Sequence, residues 1–375
     1  MPSRIVVAPD SFKGSLTAAQ AARAIAEGIR AEGGSHVVVE RPIADGGEGT
    51  IDALVASGAQ PHELVVPGAL GADARARWAS LAGTAYIEAA QGAGAHHVPD
   101  PGPRGCVRAT SRGVGALISA ALDAGYRDLV LTTGGTAVSD GGAGLLGALG
   151  LTAQPDGSLF SGGGALTDVR GVDVGALDPR LRDVRLRVAL DVGNPLLGEN
   201  GSAAVFAPQK GAGEREVALL EAGLAHWAGL FDGGRDAALL PGAGASGGIG
   251  FAALAVLGAQ PVGGADVVLE LMDFAADVRA ADLVVVGEGS LDRQSLAGKA
   301  PVVAAGHAMS RGVPAVAIAG RVALDADELA SRGIRASWSL AALSGSVDAA
   351  QAEPVRWLVE AGRRLAEWLP SLQRP

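Results

Sequence analysis

Lysine, asparagine, aromatic residues and cysteine are all scarce in this chain of 375 residues. Only three of its 30 cationic residues are lysines (Lys13, Lys210 and Lys299), and each is next to a glycine. Because arginine supplies the other positive charges, a retained lysine is a candidate for a position that needs a compact ammonium group. Both asparagines, Asn194 and Asn200, lie in one glycine-rich segment. These rare residues therefore mark candidate sites for a small, phosphate-bearing anion.

Other scarcities exclude whole classes of protein. With 3% aromatic and 48% hydrophobic residues, the core must consist mainly of Ala, Val and Leu. A single cysteine, Cys106, excludes an intrachain disulfide and fits a reducing cytoplasm. The net charge of −10 argues against nucleic acid or an anionic membrane as the main partner. No apolar run approaches membrane-spanning length, and the sequence opens on a strand pattern, RIVVA, rather than on a leader. We therefore expect a cytoplasmic protein.

Short β-branched runs alternate with glycine-rich turns and helical patterns. Predicted strands cover 5–8, 37–39, 129–131, 283–286 and 316–318, and predicted helices cover 18–29, 50–57, 145–149, 300–309 and 353–368. This alternation is typical of parallel α/β sheets, whose ligands bind at the carboxyl ends of the strands. Residues 184–190 instead alternate apolar with polar positions, as in a half-exposed strand. We predict a Rossmann-like parallel-sheet domain (1–65 and 275–375) and an inserted α/β domain of mixed topology (66–274).

Three glycine-rich segments offer groups that bind anions. In TGGTAVSDGGAG (133–144), backbone amides with Thr136 and Ser139 can cradle an anion, although close helix–sheet packing also requires small residues. In DSFKGS (10–15), Lys13 and Ser11 provide donors, and the alternative is an ordinary turn. In PQKGAG (208–213), Lys210 suits a phosphate or a carboxylate, and the alternative is an exposed lysine on a loop.

Three further segments carry carboxylates. In ADGGEGT (44–50), Asp45 suits Mg²⁺ binding or deprotonation of a hydroxyl, and the alternative is helix capping by this turn. In DVGNPLLGENG (191–201), Asp191 and Asn194 suit substrate hydroxyls or a metal, or only shape a turn. GEGSLDRQSLAGK (287–299) combines acids and bases after a buried strand, which favours phosphoryl transfer over a solvated charge run.

The formal dinucleotide fingerprint Gly242-x-Gly244-x-x-Gly247 is weak, because such patterns arise easily in a chain with 57 glycines. Taken in order, however, the segments APDSFKGSL, PIADGGEGT, ATSRGVGALI, GGTAVSDGGAG, NPLLGENGSAAVFAPQKGA, PGAGASGGIG and GEGSLDRQSLAGK resemble the bacterial class I glycerate kinase family. The resemblance spans residues 4–320. It departs at Val138 and Ser139, where the family pattern has Thr and Asn. It implies phosphorylation of D-glycerate by ATP with Mg²⁺, giving 2-phosphoglycerate, in a cleft between the two domains.

Chemistry then suggests roles for individual residues. Lys13 or Lys210 binds the substrate carboxylate while the other approaches the γ-phosphoryl group, and Asp45 or Asp191 accepts the hydroxyl proton. Glu288 and Asp292 hold Mg²⁺ directly or through water. The remaining candidates are phosphate-binding residues (Gly134, Gly135, Thr136, Ser139, Gly244, Gly247 and Lys299) and substrate-binding residues (Ser11, Asn194 and Arg293).

Several alternatives to this function stay open. The product could be 3-phosphoglycerate, or the substrate a related small hydroxy acid. From other classes, the alternatives are a nicotinamide-dependent dehydrogenase and a non-catalytic protein that binds sugar acids. The oligomeric state, including a homo-oligomer, is also open.

Overall fold

The structure, a computed structural model, describes residues 4–12, 14–33, 36–47, 49–98, 102–190 and 192–372. Its strands are β1 (Arg4–Pro9), β2 (Val37–Glu40), β3 (Gln60–Pro67), β4 (Asp73–Leu81), β5 (Thr84–Glu88), β6 (Asp128–Thr132), β7 (Thr152–Gln154), β8 (Gly171–Asp173), β9 (Arg185–Ala189), β10 (Gln260–Val262), β11 (Leu283–Gly287), β12 (Ser290–Leu291), β13 (Ala315–Ala319), β14 (Arg321–Val322) and β15 (Ile334–Ser339).

The strands alternate with helices along most of the chain. The helices are α1 (Ala18–Ala31), α2 (Thr50–Ala56), α3 (Ala89–Ala93), α4 (Pro103–Arg108), α5 (Arg112–Asp123), α6 (Ala143–Ala148), α7 (Ser202–Phe206), α8 (Glu214–Ala228), α9 (Gly234–Ala237), α10 (Ala245–Phe251), α11 (Gly264–Leu271), α12 (Phe274–Arg279), α13 (Ala300–Met309), α14 (Ala326–Ala330), α15 (Leu340–Ser344), α16 (Val347–Ala352) and α17 (Pro354–Leu372). The predicted α/β fold class is confirmed.

The chain folds into two compact units. Unit 1 comprises Met1–Asp45, Asp52–Gly58 and Gly264–Pro375, and unit 2 comprises Gly46–Ile51 and Ala59–Gly263. Each unit has its own sheet and its own apolar core. The predicted domain bounds, with an insertion at 66–274, stay a prediction.

Unit 1 is built on a parallel sheet with the strand order β15-β13-β11-β1-β2. The apolar runs of β1 and β11 are buried on both faces, as strands in the middle of a parallel sheet require. The chain adds β2 on one side of β1 and returns with β11, β13 and β15 on the other side. The sheet therefore has a topological switch point between β1 and β11, which is where open parallel sheets bind their ligands.

Helix α1 of unit 1 begins at a capping box formed by Thr17 and Gln20. The hydroxyl of Thr17 accepts a hydrogen bond from the Gln20 N–H at 3.2 Å, and the Gln20 side chain accepts one from the Thr17 N–H at 2.9 Å. Its apolar stripe packs into the unit 1 core. At Gly28 a Cβ atom would lie 2.0 Å from the backbone oxygen of Val359 on α17, so only glycine permits this close approach of the two helices.

Unit 2 contains a mixed sheet with the order β10-β9-β6-β5-β4-β3. Strands β5, β6, β9 and β10 are parallel, whereas β3 and β4 are antiparallel additions at one edge. The prediction of a second sheet of mixed topology is confirmed. The prediction that the strand at 184–190 is half-exposed is wrong. Strand β9 lies between β6 and β10, and its Arg187 is buried and forms an ion pair with Asp128 at 3.3 Å.

Within the described ranges, no helix combines the length and the apolar character needed to cross a membrane.

Candidate functional site

The loops that follow β1, β11 and β13 of unit 1 line a cavity of about 270 Å³ at the switch point of the sheet. Its polar lining residues are Asp10, Ser11, Ser15, Asp45, Glu288, Ser290, Lys299, Arg321 and Gln351. Apolar side chains from the loop after β1 and from α15, α16 and α17 complete the wall (Phe12, Leu340, Val347, Ala350 and Pro354). The structure therefore brings the sequence candidates Ser11, Asp45, Glu288 and Lys299 to one cavity.

Glu288 and Lys299 form an ion pair in this cavity. The Lys299 ammonium donates to Glu288 Oε2 at 3.1 Å. Glu288 is 5% exposed, and its Oε1 atom has no hydrogen-bond partner among the described residues. Burial raises the pKa of Glu288, although the Ser295 hydroxyl and the Lys299 charge counteract this rise. A buried carboxylate with one unused oxygen is a group that still has the capacity to bind a ligand or a cation.

Asp292 and Arg293, predicted in the same segment, do not line the cavity. Asp292 Oδ1 accepts from the Gln294 N–H at 2.9 Å and Oδ2 accepts from the Ser290 hydroxyl at 3.1 Å. Burial acts to raise the pKa of Asp292, but these hydrogen bonds and the Lys299 charge hold it below its usual value. The Arg293 side chain is 84% exposed and pairs with Glu328 at 3.0 Å. The ligand-binding roles of Asp292 and Arg293 stay predictions.

A second cavity, of about 150 Å³, lies within unit 2 at the carboxyl ends of β6 and β9. It is lined by Thr133, Gly134, Gly135, Thr136, Val192, Phe206, Gln209, Lys210, Ala245 and Ser246. The structure therefore brings together the predicted anion loop after β6 and the predicted lysine of the PQKGAG segment. No Asp or Glu of the described ranges lines this cavity, so Lys210 gives it a positive character.

Lys210 is held by a backbone group rather than by a carboxylate. Its ammonium donates a hydrogen bond to the carbonyl oxygen of Val138. Burial lowers the pKa of Lys210 from 10.5 to about 8, and the nearby charge of Asp140 partly opposes this change. The side chain of Val138 is fully buried in the core, so the departure from the family pattern at this position leaves the lysine contact, made by the backbone, intact.

Asp140 anchors the loop that carries Val138. Although fully buried, its carboxylate accepts hydrogen bonds from the Ser111 N–H (2.7 Å), the Ser111 hydroxyl (2.8 Å) and the N–H groups of Gly142 (3.1 Å) and Gly144 (3.2 Å). Burial raises the pKa of Asp140, and the four hydrogen bonds counteract that rise. Its contacts identify Asp140 as a group that fixes loop geometry.

Four candidates of unit 2 are placed outside the lining of its cavity. Ser139 is fully buried. A Cβ at Gly244 would lie 2.2 Å from the Pro195 carbonyl oxygen, and one at Gly247 would lie 1.9 Å from that of Val138. Asn194 Nδ2 donates to the Asn200 carbonyl at 2.8 Å. Close packing and turn formation explain these residues without a ligand, and their binding roles stay predictions. Two further candidates, Lys13 and Asp191, lie outside the described residues.

Sequence reasoning missed Ser246, Arg321 and Gln351. Arg321 and Gln351 lie in no recognisable motif. Ser246 lies in PGAGASGGIG, where the pattern indicated a function only for the glycines. It adopts a left-handed backbone (φ 50°, ψ 45°), which is rare for a residue with a side chain and costs about 1–3 kcal/mol. Its hydroxyl accepts a hydrogen bond from the Gly134 N–H at 2.8 Å, so it fixes the anion loop beside the cavity.

These features define an α/β protein with cavities at the carboxyl ends of parallel strands, lined by lysines, hydroxyls and glycine-rich loops. Residues 5–370 match the model of the glycerate kinase family. The chain is 42% identical to a glycerate kinase of Bacillus subtilis over 90% of each protein. It is also 39% identical to the glycerate 2-kinase of Escherichia coli over 98% of each.

A solved structure agrees with these sequence matches. The crystal structure of a putative glycerate kinase 2 from Salmonella typhimurium superimposes with a TM-score of 0.83 at 35% identity and covers 100% of both chains. The chain belongs to the glycerate kinase family, and the resemblance inferred from its motifs is confirmed.

Proposed function

We propose that this protein transfers the γ-phosphoryl group of ATP to D-glycerate, giving 2-phosphoglycerate and ADP. The observation that carries the reaction is the match of the family across nearly the whole chain, with relatives named glycerate kinase or glycerate 2-kinase at about 40% identity. Phosphoryl transfer depends mainly on positioning and on neutralising charge, and the two lysine-bearing cavities supply groups for both tasks.

Of the two residues predicted to hold Mg²⁺, only one has a carboxylate oxygen without a hydrogen-bond partner among the described residues. Glu288 offers a buried carboxylate oxygen without a partner, whereas both oxygens of Asp292 already accept hydrogen bonds. Among the described residues no group of three His, Cys, Asp or Glu side chains forms a metal site. Kinases commonly bind Mg²⁺ through one or two carboxylates together with the phosphates of the nucleotide. Bound Mg²⁺ would neutralise phosphate charge, and Glu288 is better suited to hold it than Asp292.

Lys210 is the residue proposed to bind the carboxylate of glycerate. Its ammonium lies in a cavity too small for a nucleotide and without an acidic lining residue in the described ranges. The hydroxyl at C2 is adjacent to the carboxylate, so a lysine that fixes the carboxylate also fixes the C2 oxygen better than the more mobile C3 oxygen. Asp45 and Asp191 stay the candidates for the general base, and Lys13 stays the candidate for a second positive charge at the site. The location of the active site in a cleft between the domains stays a prediction.

Formation of ADP from ATP, Mg²⁺ and D-glycerate by the purified protein tests the reaction. ADP that appears only when glycerate is present supports a kinase, whereas glycerate binding without ADP favours a binding protein and glycerate-dependent reduction of a nicotinamide cofactor favours a dehydrogenase. Enolase added without phosphoglycerate mutase then tests the product, because only 2-phosphoglycerate gives phosphoenolpyruvate directly. Phosphoenolpyruvate that requires added mutase would identify a 3-kinase. The cytoplasmic location, the oligomeric state and the exclusion of nucleic acid and membrane as partners stay predictions.

A further inference from the structure

Ser246 has an unusual backbone for its residue type. It is the first of three consecutive residues with left-handed dihedral angles, and the other two are Gly247 (φ 69°) and Gly248 (φ 92°). At Gly247 and Gly248 an added Cβ would lie 1.9 Å and 2.6 Å from backbone atoms of the loop that follows β6, so those positions require glycine. Glycine would also relax the backbone at position 246. The chain nevertheless keeps a serine there, which indicates that its side chain has a function.

The hydroxyl of Ser246 uses only its acceptor capacity within the described protein. Its oxygen accepts from the Gly134 N–H at 2.8 Å. A hydroxyl is also a donor, and no described residue accepts a hydrogen bond from Ser246. Ser246 lines the same cavity as Lys210, Thr136 and the backbone of Gly135. Because the Gly134 contact fixes the oxygen, the hydroxyl proton is free to donate to a group in that cavity.

The properties of the cavity identify the kind of group that would accept this proton. Its volume is about 150 Å³, and its only charged lining residue in the described ranges is Lys210. A small anion therefore fits, whereas pockets for drug-sized ligands are about 300–1,000 Å³. A hydroxyl and an ammonium that converge on one small cavity suit the two oxygens of a carboxylate, because hydrogen bonds to a charged acceptor are the strong ones.

We propose that Ser246 is a substrate-binding residue whose hydroxyl, together with the Lys210 ammonium, binds the carboxylate of a short hydroxy acid. This inference rests on the proposed function, in which that acid is D-glycerate. The left-handed backbone at Ser246 places the hydroxyl where it both fixes the Gly134 loop and reaches the ligand.

Replacing Ser246 by Gly and by Ala separates backbone strain from hydroxyl chemistry. Both variants lose the hydroxyl, but only Ser246→Gly relieves the left-handed backbone. We expect KM for D-glycerate to rise about 10-fold or more in both, as for a lost hydrogen bond to a charged group, while KM for ATP changes less than about 3-fold. The melting temperature should be unchanged or a few degrees higher in Ser246→Gly and lower in Ser246→Ala. Ser246→Asn tolerates a left-handed backbone and retains a donor, so it should keep more of the glycerate affinity.

Ala82 provides a matched control in the same unit. It lies in the turn between β4 and β5 with φ 48°, close to the φ of 50° at Ser246, and it has no polar side-chain atom. Ala82→Gly therefore relieves a similar strain without removing a hydroxyl. It should raise the melting temperature while leaving KM for D-glycerate unchanged. An equal rise of KM in Ala82→Gly would mean that strain relief alone changes the site, and the proposal would be wrong.

The kinetic result also decides between a carboxylate and a phosphate in this cavity. A larger effect of Ser246→Gly on KM for ATP than on KM for D-glycerate would place nucleotide phosphate there and overturn the proposal, as would unchanged KM for both. If the wild-type protein does not phosphorylate D-glycerate, the proposed function fails separately. Calorimetric titration of the wild type and Ser246→Gly with D-glycerate, D-lactate, oxalate and inorganic phosphate then tests the subsite itself. Carboxylate binding weakened by the substitution supports the inference, and no carboxylate binding to the wild type refutes it.

Discussion

Unit 1 and unit 2 each present a lysine to a cavity at the carboxyl ends of parallel strands, but the two ammonium groups have different partners. Lys299 of unit 1 pairs with the buried carboxylate of Glu288, in a cavity that Asp10 and Asp45 also line. Lys210 of unit 2 donates to a backbone carbonyl, and its cavity has no acidic lining residue among those described.

This difference predicts different roles for the two lysines. Lys299 neutralises the buried carboxylate of Glu288. Removal of Lys299 should therefore reduce stability more than activity. The ammonium of Lys210 contacts a carbonyl oxygen, and its positive charge is opposed only through the nearby charge of Asp140 among the described carboxylates. Burial lowers the pKa of this ammonium to about 8. A partly buried cation without a carboxylate contact has a capacity to attract an anionic ligand, so removal of Lys210 should reduce activity more than stability.

The largest expected effect follows from Lys210→Met. We expect kcat/KM for D-glycerate to fall by about 10²–10³-fold, as when one preorganised charged donor is removed from an active site. The melting temperature should be unchanged or higher, because methionine has a similar length and removes a partly buried charge. Steady-state ADP formation and a thermal unfolding scan measure the two quantities. A variant that keeps activity but melts at a lower temperature would reverse the roles of the two lysines.

The companion substitution Lys299→Met should mainly reduce stability. It leaves the carboxylate of Glu288, which is 5% exposed, without its cation, and we expect a loss of about 1–3 kcal/mol in the free energy of unfolding. Combining it with Glu288→Gln should restore part of this loss, because the buried charge is then absent. Chemical denaturation of the two single variants and the double variant gives the coupling energy. Additive losses would contradict an energetically important ion pair.

The sequence motifs predicted the lining of the two cavities better in some places than in others. The glycine-rich segments after β1, β6 and β11 lie where the strand pattern placed them, since connections in parallel sheets put such loops at the carboxyl ends. Residues that contact the cavities from distant helices or turns, such as Gln351 and Ser246, were missed because only tertiary packing brings them there. Residue type also could not distinguish Glu288, with an unused oxygen, from Asp292, whose oxygens cap a local turn.

That distinction leads to a prediction about Mg²⁺. Glu288→Gln should raise the Mg²⁺ concentration that gives half-maximal activity by about 10-fold or more, on the scale of defects measured around metal sites. Asp292→Asn should change it less than about 3-fold, because its oxygens bond the Gln294 N–H and the Ser290 hydroxyl. Titrations of activity against Mg²⁺ at saturating ATP and glycerate compare the two variants. Equal shifts would restore Asp292 as a metal ligand, and no shift in either would move the metal to Asp45 or Asp191.

A further prediction concerns pH and sharpens the comparison between the lysines. Because the pKa of Lys210 is about 8 in the folded protein, its ammonium is charged below pH 8 and loses its proton as the pH rises through that value. KM for D-glycerate should therefore rise about 10-fold per pH unit well above pH 8, as for loss of one essential proton. Lys210→Arg, although weaker at neutral pH, should lack this rise, because arginine keeps its charge.

The same shift affects stability with a definite sign. Between pH 8 and the ordinary lysine value of 10.5, the unfolded chain retains a proton that the folded protein has released. The free energy of unfolding therefore increases as the pH rises through this window. The reason is that desolvation of the Lys210 ammonium destabilises the folded protein, and this destabilisation is fully present only below pH 8. Lys210→Met removes the contribution, so the difference in stability between Lys210→Met and the wild type should shrink from pH 7 to pH 10. Urea denaturation at both pH values measures it, and a constant difference would show that the ammonium of Lys210 is not desolvated.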